Sequence, residues 1–266
     1  MQIASEHHDR TAILVVSFGT THTETYQKTI AVIEKEIQNH YPNYPLYSAW
    51  TSSVIRKIVK SRDQKHIFSV TEALEQMYKD GMTHIIVQPT HIIDGIENTA
   101  MKNDIEKLSS YFTHISIGEP LLASTQSIQT IANILIHQWN LKDDELLVYI
   151  GHGSKCETTV VYNQINHKLR EKNCTNIIIG TMQSNPSIKD IIEYLKCTAI
   201  RKIILVPFMI VAGSHAHKEI AGNEETSWKS IFESHGYHVN CILKGLGEIA
   251  DIREIFIHHI EQSMQQ

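Results

Sequence analysis

Short apolar runs without polar alternation recur along the chain, separated by stretches in which apolar residues recur at helical spacing. Such runs are typical of parallel strands that are covered on both faces. Strands that alternate with helices imply parallel sheets with right-handed crossovers. The runs form two sets in the same order and predict strands at residues 12–17, 46–49, 84–90, 114–118, 146–150, 177–179, 203–206 and 237–242. Helices are expected at residues 26–37, 55–59, 71–79, 101–108, 126–138, 158–170, 187–196 and 252–260.

An internal repeat supports this division into two related halves. Residues 85–97 (IIVQPTHIIDGIE) align without gaps on residues 203–215 (IILVPFMIVAGSH), and five of the thirteen positions are identical. In this alignment Glu97 falls on His215. A carboxylate and an imidazole therefore occupy equivalent places in the two halves.

The repeat predicts an α/β protein of two lobes, residues 1–124 and 125–266, related by pseudo-twofold symmetry. Each lobe is expected to be a four-stranded parallel sheet flanked by helices. The terminal helix, residues 249–264, is a candidate to pack back on the first lobe. No low-complexity linker separates the halves, so the boundary near residues 122–127 is predicted to be a hinge between packed lobes.

Composition excludes several classes of protein. The formal net charge is −5 and no long basic run occurs, so nothing indicates a nucleic-acid partner. The longest apolar runs are far shorter than the ~20 residues of a membrane helix, and no signal peptide is visible. The four cysteines contain no C-x-x-C pair, which favours reduced thiols. We therefore expect a cytoplasmic protein without a membrane or nucleic-acid partner, and a homo-oligomer is compatible with the sequence.

Candidate chemistry collects beyond the predicted strand ends. In open α/β sheets, ligands bind outside the carboxyl ends of the strands. His152 and His215 follow such ends, and neutral imidazoles with few carboxylates favour cobalt, nickel, iron or zinc over magnesium and calcium. His152 stands between two glycines, which allow a tight turn and close approach by a flat ligand. His217 is expected to face away from His215.

Two phosphate chemistries are alternatives to metal binding. The order strand, Gly-His-Gly-Ser, helix also suits a phosphate-binding turn with His152 as a phosphoryl acceptor. Enzymes of that kind usually set an arginine beside the histidine, whereas Ile150 and Gly151 precede it here. No G-x-x-x-x-G-K-[ST] loop occurs, so the sequence gives no support to ATP-driven chemistry.

Several short motifs together resemble one family over nearly the whole chain. They are Ser17-Phe18-Gly19-Thr20, Ala49-Trp50-Thr51-Ser52 with Arg56-Lys57, His91-Ile92-Ile93 with Gly95 and Glu97, Gly151-His152-Gly153, Val211-Ala212-Gly213 with His215-Ala216, Ser227-Trp228-Lys229, and Gly245-Leu246-Gly247-Glu248. By these motifs the chain resembles the ATP-independent class II tetrapyrrole chelatases, and within them the sirohydrochlorin cobaltochelatases of anaerobic cobalamin biosynthesis. The resemblance implies two flavodoxin-like lobes around a cleft.

The resemblance also implies a set of site residues. His152 and His215 match the family's metal-binding histidines, and Glu97 matches its cleft carboxylate. Where the family has a third ligand, a glutamate before a proline in the second half, this chain has Gln183, whose carbonyl oxygen is neutral. The residues expected to contact the tetrapyrrole are Phe18, Gly19, Thr20, Trp50, His91, Gly153 and Ser214.

The resulting hypothesis is insertion of Co(II), with Fe(II) or Ni(II) as possible substitutes, into sirohydrochlorin without ATP or an organic cofactor. His152, His215 and Gln183 would hold the ion, while Glu97 or His152 would accept pyrrole protons. Arg56 and Lys57 are candidate cations for the carboxylate-rich substrate, although a solvated helix face explains them equally well. A non-enzymatic carrier of tetrapyrrole or metal is the alternative.

Overall fold

Two four-stranded parallel sheets form the framework of the fold. A computed structural model describes residues 10–153 and 160–265. The first sheet has the spatial order β2-β1-β3-β4 and contains β1 (Thr11–Ser17), β2 (Leu46–Trp50), β3 (His84–Pro89) and β4 (His114–Ile117). The second has the order β6-β5-β7-β8 and contains β5 (Glu145–Gly151), β6 (Ile177–Thr181), β7 (Lys202–Pro207) and β8 (His238–Cys241). The prediction of two parallel four-stranded sheets is confirmed.

Helices cover both faces of the sheets. Their bounds are α1 (Thr23–Lys28), α2 (Ile30–His40), α3 (Ser53–Asp63), α4 (Val70–Lys79), α5 (Ile96–Leu108), α6 (Thr125–His137), α7 (Val160–Glu171), α8 (Ile188–Leu195), α9 (Trp228–Ser234) and α10 (Ala250–Ser263). Several begin after a serine whose side chain accepts a backbone N–H of the first turn, as Ser69 does at α4 and Ser187 at α8. The expected start of the helix near Thr158, and with it Ser154 and Cys156, lies outside the described residues.

The two lobes repeat each other down to the strand register. Val16 of β1 pairs with Pro89 of β3, and Ile150 of β5 pairs with Pro207 of β7. The two prolines are equivalent in the gap-free alignment, so the register agrees with it. Gly19 and Gly153 follow the opening strands at φ values of +96° and +70°, which glycine adopts without the steric cost of a Cβ atom.

The core is shared between the lobes. Ile13 and Val15 of β1 lie in one apolar cluster with Leu147 and Tyr149 of β5, and α6 and α10 contribute to the same cluster. The alternate residues of each strand pack under the helices of their own lobe. Because side chains alternate across a strand, one face of each sheet contributes to this shared cluster. The lobes are thus joined by apolar burial, which fixes the positions of the carboxyl edges of the two sheets relative to each other.

The last helix contacts residues from the first half of the chain. Arg253 Nε lies 2.7 Å from a carboxylate oxygen of Glu36 on α2. The His259 Nδ1–H group donates to the Glu119 carbonyl oxygen at 2.9 Å. These contacts hold helix α10 against the first lobe. In the ranges that the structure describes, no helix combines the length and apolar character needed to cross a membrane.

Candidate functional site

The rings of His152 and His215 lie together at the carboxyl edge of the second sheet. Their centroids are 5.1 Å apart and their planes are nearly perpendicular, at 88°. His152 follows β5 and His215 lies in the loop after β7, and these strands are neighbours in the sheet. Parallel strands bring their carboxyl ends to one edge, so residues 63 positions apart meet there. Two imidazoles at this spacing can reach the same metal ion.

Hydrogen bonds determine which ring nitrogen of each histidine is available. His215 Nδ1 lies 2.6 Å from Glu219 Oε1, and His152 Nδ1 lies 3.0 Å from the carbonyl oxygen of Gly153. A carboxylate or carbonyl oxygen can only accept, so each Nδ1 carries a proton, and in the neutral ring Nε2 keeps its lone pair. Both histidines thus present the tautomer that a metal requires.

Glu219 is a site residue that the sequence analysis missed. It lies in the π-helical turn Ala216–Ile220, directly after His215. A carboxylate bonded to the outer nitrogen of a ligating imidazole orients the ring and makes it a stronger base. The signal in the sequence is a carboxylate four residues after a candidate histidine ligand.

The glycines on both sides of His152 let the loop pack closely against its own lobe. A Cβ atom on Gly151 would lie 2.8 Å from Tyr162 Cε1, and one on Gly153 would lie 2.7 Å from Ser184 Oγ. Burial raises the pKa of Tyr162 to about 12, and this residue hydrogen-bonds to the backbone of Gly153. From the sequence these glycines are predicted to allow a tight turn and close approach by a flat ligand. The structure shows that protein side chains fill the space beside them.

Gln183 is adjacent to His152 through the backbone. Its N–H group donates to the His152 carbonyl oxygen at 3.1 Å, so the loops after β5 and β6 run side by side. The Gln183 side chain is exposed. Its role as a metal ligand remains a prediction.

Glu97 and His91 occupy the equivalent edge of the first sheet. Glu97 is exposed in the first turn of α5, while His91 is buried, with its Nδ1 3.1 Å from Asn98 Oδ1. Burial lowers the pKa of His91, partly offset by the hydrogen bond that His91 donates to Asn98 Oδ1 and by the negative charge of Glu97. The buried Nε2 atom of His91 has no hydrogen-bond partner. Within residues 10–153 and 160–265, no three His, Cys, Asp or Glu side chains form a group that could hold a metal ion.

The two lobes meet beside the histidine pair. His22 Nε2 lies 3.1 Å from Ser214 Oγ, and the His22 ring stacks on His217 with centroids 5.1 Å apart. A Cβ atom on Gly213 would lie 3.6 Å from Thr20 Oγ1, which is ordinary van der Waals contact. His22 was not singled out from the sequence, because a contact across 192 positions depends on how the lobes are oriented.

Comparison with known proteins identifies the family. The model of the family described as cobalt chelatase (CbiK) matches residues 11–265. The chain belongs to the CbiK family. It is 30% identical over 254 residues to the sirohydrochlorin cobaltochelatase of Salmonella typhimurium, an alignment that covers 95% of this chain and 96% of the relative. It is 28% identical over 252 residues to sirohydrochlorin cobaltochelatase CbiKC of Nitratidesulfovibrio vulgaris, which covers 93% and 88%.

Solved structures support the two-lobed chelatase fold of this CbiK-family chain. SirB from Bacillus subtilis with Fe3+ superposes with a TM-score of 0.68 at 16% sequence identity, covering 96% of this chain and 95% of SirB. The SirB sirohydrochlorin chelatase from Bacillus subtilis subspecies spizizenii, in complex with cobalt, gives a TM-score of 0.64 at 14% identity, covering 96% of each chain. At these identities the likeness shows the fold alone.

The aromatic residues expected to contact the tetrapyrrole differ in exposure in this CbiK-family chain. Phe18 is 44% exposed, whereas Trp50 is 4% exposed. Trp50 lies against Gly19, where an added Cβ atom would come within 2.5 Å of Trp50 Cε3, and it also packs on Tyr26. Phe18 can therefore offer an apolar face to a ligand without rearrangement, and Trp50 supports the loop beneath it.

The predicted rim cations differ in a similar way. Arg56 Nη1 lies 3.5 Å from a carboxylate oxygen of Glu72, and the Arg56 side chain is 23% exposed. Lys57 is exposed. The charge of Arg56 is thus partly compensated within the first lobe, which leaves Lys57 as the more accessible of the two candidates.

Proposed function

We propose that this protein inserts Co(II) into sirohydrochlorin in anaerobic cobalamin biosynthesis, without ATP or an organic cofactor. The observation that carries the proposal is the perpendicular His152 and His215 pair, in which both Nε2 atoms are available as metal ligands. Membership of the CbiK family and relatives named sirohydrochlorin cobaltochelatase support the choice of metal and substrate.

The reaction needs a held divalent ion and acceptors for two pyrrolic protons. His152 and His215 would bind the ion through Nε2, and the Gln183 carbonyl oxygen would add a neutral ligand. An Nε2 atom that binds a metal cannot accept a proton at the same time. Glu97, an exposed carboxylate, is therefore the proposed first proton acceptor, and His152 becomes available when the ion leaves it.

Charge balance favours transfer of the ion over permanent retention. The proposed ligands are two neutral imidazoles and one amide, so the ion would keep most of its charge at the site. Glu219 lies next to His215, where it hydrogen-bonds to the outer nitrogen of the ring. An ion held by neutral ligands is displaced more easily by the pyrrole nitrogens than one held by several carboxylates.

Substrate contacts are proposed for the loops at the cleft. Phe18 would contact the macrocycle, and Gly19, Thr20 and Trp50 shape the loop beneath it. His91, Gly153 and Ser214 are the remaining residues proposed to line the binding site.

We also infer a cytoplasmic location, because Cys174, Cys197 and Cys241 are free thiols, as expected in a reducing compartment.

An anaerobic absorbance assay tests the proposal. Purified protein is mixed with sirohydrochlorin and Co(II), Fe(II) or Ni(II) in the absence of ATP, and the shift of the tetrapyrrole bands reports insertion. His152→Ala and His215→Ala should each lower turnover by ~10²-fold or more, as loss of a positioned ligand or acid-base group does. His235→Ala is the control, because this exposed histidine precedes β8 and so lies toward the opposite edge of the sheet.

A carrier of metal or tetrapyrrole is the second candidate. The observation that favours it is Gln183, a neutral amide where the resembled family has a glutamate, which weakens the proposed ligand set. A carrier would bind Co(II) or sirohydrochlorin stoichiometrically without accelerating insertion. Normal turnover in either histidine variant would remove the metal assignment.

A further inference from the structure

The turn that carries His215 contacts the first lobe through residues before and after His215 in the sequence. Ser214, directly before it, lies 3.1 Å from His22 Nε2. His217, two residues after it, stacks on the His22 ring with planes only 9° apart. One first-lobe side chain therefore contacts the second-lobe turn before and after the proposed metal ligand.

His22 is itself fixed to the first lobe. Its backbone N–H group donates to Thr20 Oγ1 at 3.1 Å, and Thr20 is 5% exposed. Arg62, at the end of α3, donates from Nη1 to the Thr21 carbonyl oxygen at 2.6 Å. The loop after β1 is thus tied to its own lobe by backbone and side-chain contacts. A restraint applied through His22 is transmitted from the first lobe to the second.

We propose that His22 is a positioning residue for His215: it holds the turn 213–217 at the lobe interface so that the imidazole of His215 stays opposite that of His152. The inference rests on the proposed function of this pair. Glu219 orients the His215 ring, but it lies in the π-helical turn directly after His215, in the same lobe, and moves with it. His22 supplies the restraint between lobes that Glu219 cannot provide.

The restraint matters because the His215 side chain is 54% exposed, so surrounding packing covers less than half of it. A metal site needs its ligands held within about 0.5 Å of the productive geometry by supporting side chains. If the turn is released, part of the free energy of metal binding is used to order it. Co(II) should then bind more weakly, with a larger effect on KM than on kcat.

A double-mutant cycle between the lobes tests the proposal. His22→Phe keeps an aromatic ring against His217 and removes the hydrogen bond to Ser214, while Ser214→Ala removes the same bond from the other side. Each variant should raise the Kd for Co(II), measured by calorimetry without tetrapyrrole, by about 3- to 10-fold, the range expected for one hydrogen bond. The double variant should be no weaker than either single variant. His235→Phe is the matched control and should leave Kd unchanged.

Rescue separates positioning from a general structural effect. In His22→Gln the side-chain amide can still donate to Ser214, so Co(II) affinity should recover toward that of the wild type. If His22 acted only through packing of its ring, glutamine would not restore the affinity. The unfolding temperatures of all variants should stay close together. If Co(II) binds at His152 and His215, then unchanged Co(II) affinity in His22→Phe, or effects of His22→Phe and Ser214→Ala that simply add, would overturn the assignment.

A measurement on the metal-free protein distinguishes failure of this inference from failure of the proposed function. Imidazole ¹H–¹⁵N spectra report the tautomer and order of His215 directly. We expect its signals to shift or broaden in His22→Phe and to return in His22→Gln. If Co(II) does not bind to His152 and His215 but these shifts occur, the proposed function fails and the positioning holds. Superimposable His215 signals in wild type and His22→Phe would exclude the positioning role.

Discussion

Glu219 Oε1 lies 2.6 Å from Nδ1 of His215, which fixes the tautomer that leaves Nε2 for a metal. The bond orients the ring and raises its basicity, and loss of such a partner typically costs 10- to 100-fold in metal affinity. We therefore expect Glu219→Ala to weaken Co(II) binding by about 10- to 100-fold. Glu219→Gln keeps an acceptor oxygen but removes the charge, so its effect should be smaller. Calorimetric titration of the metal-free protein with Co(II) provides the measurement.

Glu193→Ala serves as the control for loss of one surface carboxylate. Glu193 pairs with Lys196 in an exposed ion pair on the second lobe, away from either histidine loop. This variant should bind Co(II) as the wild type does. Equal Co(II) affinities in Glu219→Ala and Glu193→Ala would show that the Glu219 bond does not tune the metal site.

Two glycines with similar backbone angles provide a matched test of the His152 loop. Gly153 and Gly236 have φ values of +70° and +87°. A Cβ atom on Gly153 would meet Ser184 Oγ at 2.7 Å, whereas one on Gly236 would meet nothing within 4 Å. Gly236→Ala should lower the free energy of unfolding by about 1–2 kcal/mol, the cost of the left-handed conformation. Gly153→Ala should lose a further 1–3 kcal/mol or so from overpacking.

Urea denaturation of the two variants checks this difference. If Gly153→Ala and Gly236→Ala lose the same free energy of unfolding, the loop can shift without cost, and the packing of Ser184 against it does not hold His152 in place.

Buried histidines make stability depend on pH in one direction. Burial lowers the pKa of His259 below its ordinary value of 6.5, although its Nδ1–H group donates to the Glu119 carbonyl. The folded protein therefore binds this proton less readily than the unfolded chain. This histidine does not reduce the free energy of unfolding above about pH 6.5. The free energy of unfolding falls as the pH decreases from there toward the folded pKa. His91, whose pKa is lowered in the same way, adds to the loss.

His259→Gln should reduce this dependence on pH. Glutamine can donate to the same carbonyl but does not titrate, so the fall in unfolding temperature between about pH 7.5 and pH 5.5 should be smaller than in the wild type. His235→Gln, at an exposed position, is the control and should follow the wild-type curve. A wild-type unfolding temperature that rises as the pH falls through this range would contradict the assignment.

The sequence predicted the sheets because their signal is local. Each strand, such as β1 or β5, is a continuous apolar run, and the repeat that matches Glu97 with His215 established the symmetry of the lobes. Exposure of single side chains was harder to predict. Trp50 is a core residue because Gly19 leaves space for its ring, and that fit depends on a backbone angle that no pattern encodes.

Contacts between the lobes could not be derived from the sequence. The hydrogen bond between His22 and Ser214 depends on how two sheets pack through a shared core, and nothing near either residue specifies it. By contrast, the meeting of His152 and His215 follows from the rule that parallel strands bring their carboxyl ends to one edge. The part of the site within one sheet was therefore predictable, and the part that spans the lobes was not.

Gln183 provides the most direct test of the proposed ligand set, because its backbone lies beside His152 and its side chain is exposed. Gln183→Glu adds a negative charge, and opposite charges attract more strongly in a cleft that partly excludes water than in bulk solvent. We expect tighter Co(II) binding in titrations without tetrapyrrole and a lower apparent KM for Co(II).

Tighter binding of the ion in Gln183→Glu should not accelerate its transfer. Only stabilisation specific to the transition state raises turnover. Tighter binding of the ion in the ground state alone increases the activation barrier for its transfer. The kcat should therefore be unchanged or reduced. Gln126→Glu, which adds the same charge at an exposed position on α6, controls for net charge and should alter neither constant. If the Co(II) affinity of correctly folded Gln183→Glu equals that of the control, Gln183 does not face the metal, and the ion is held without a ligand from this loop.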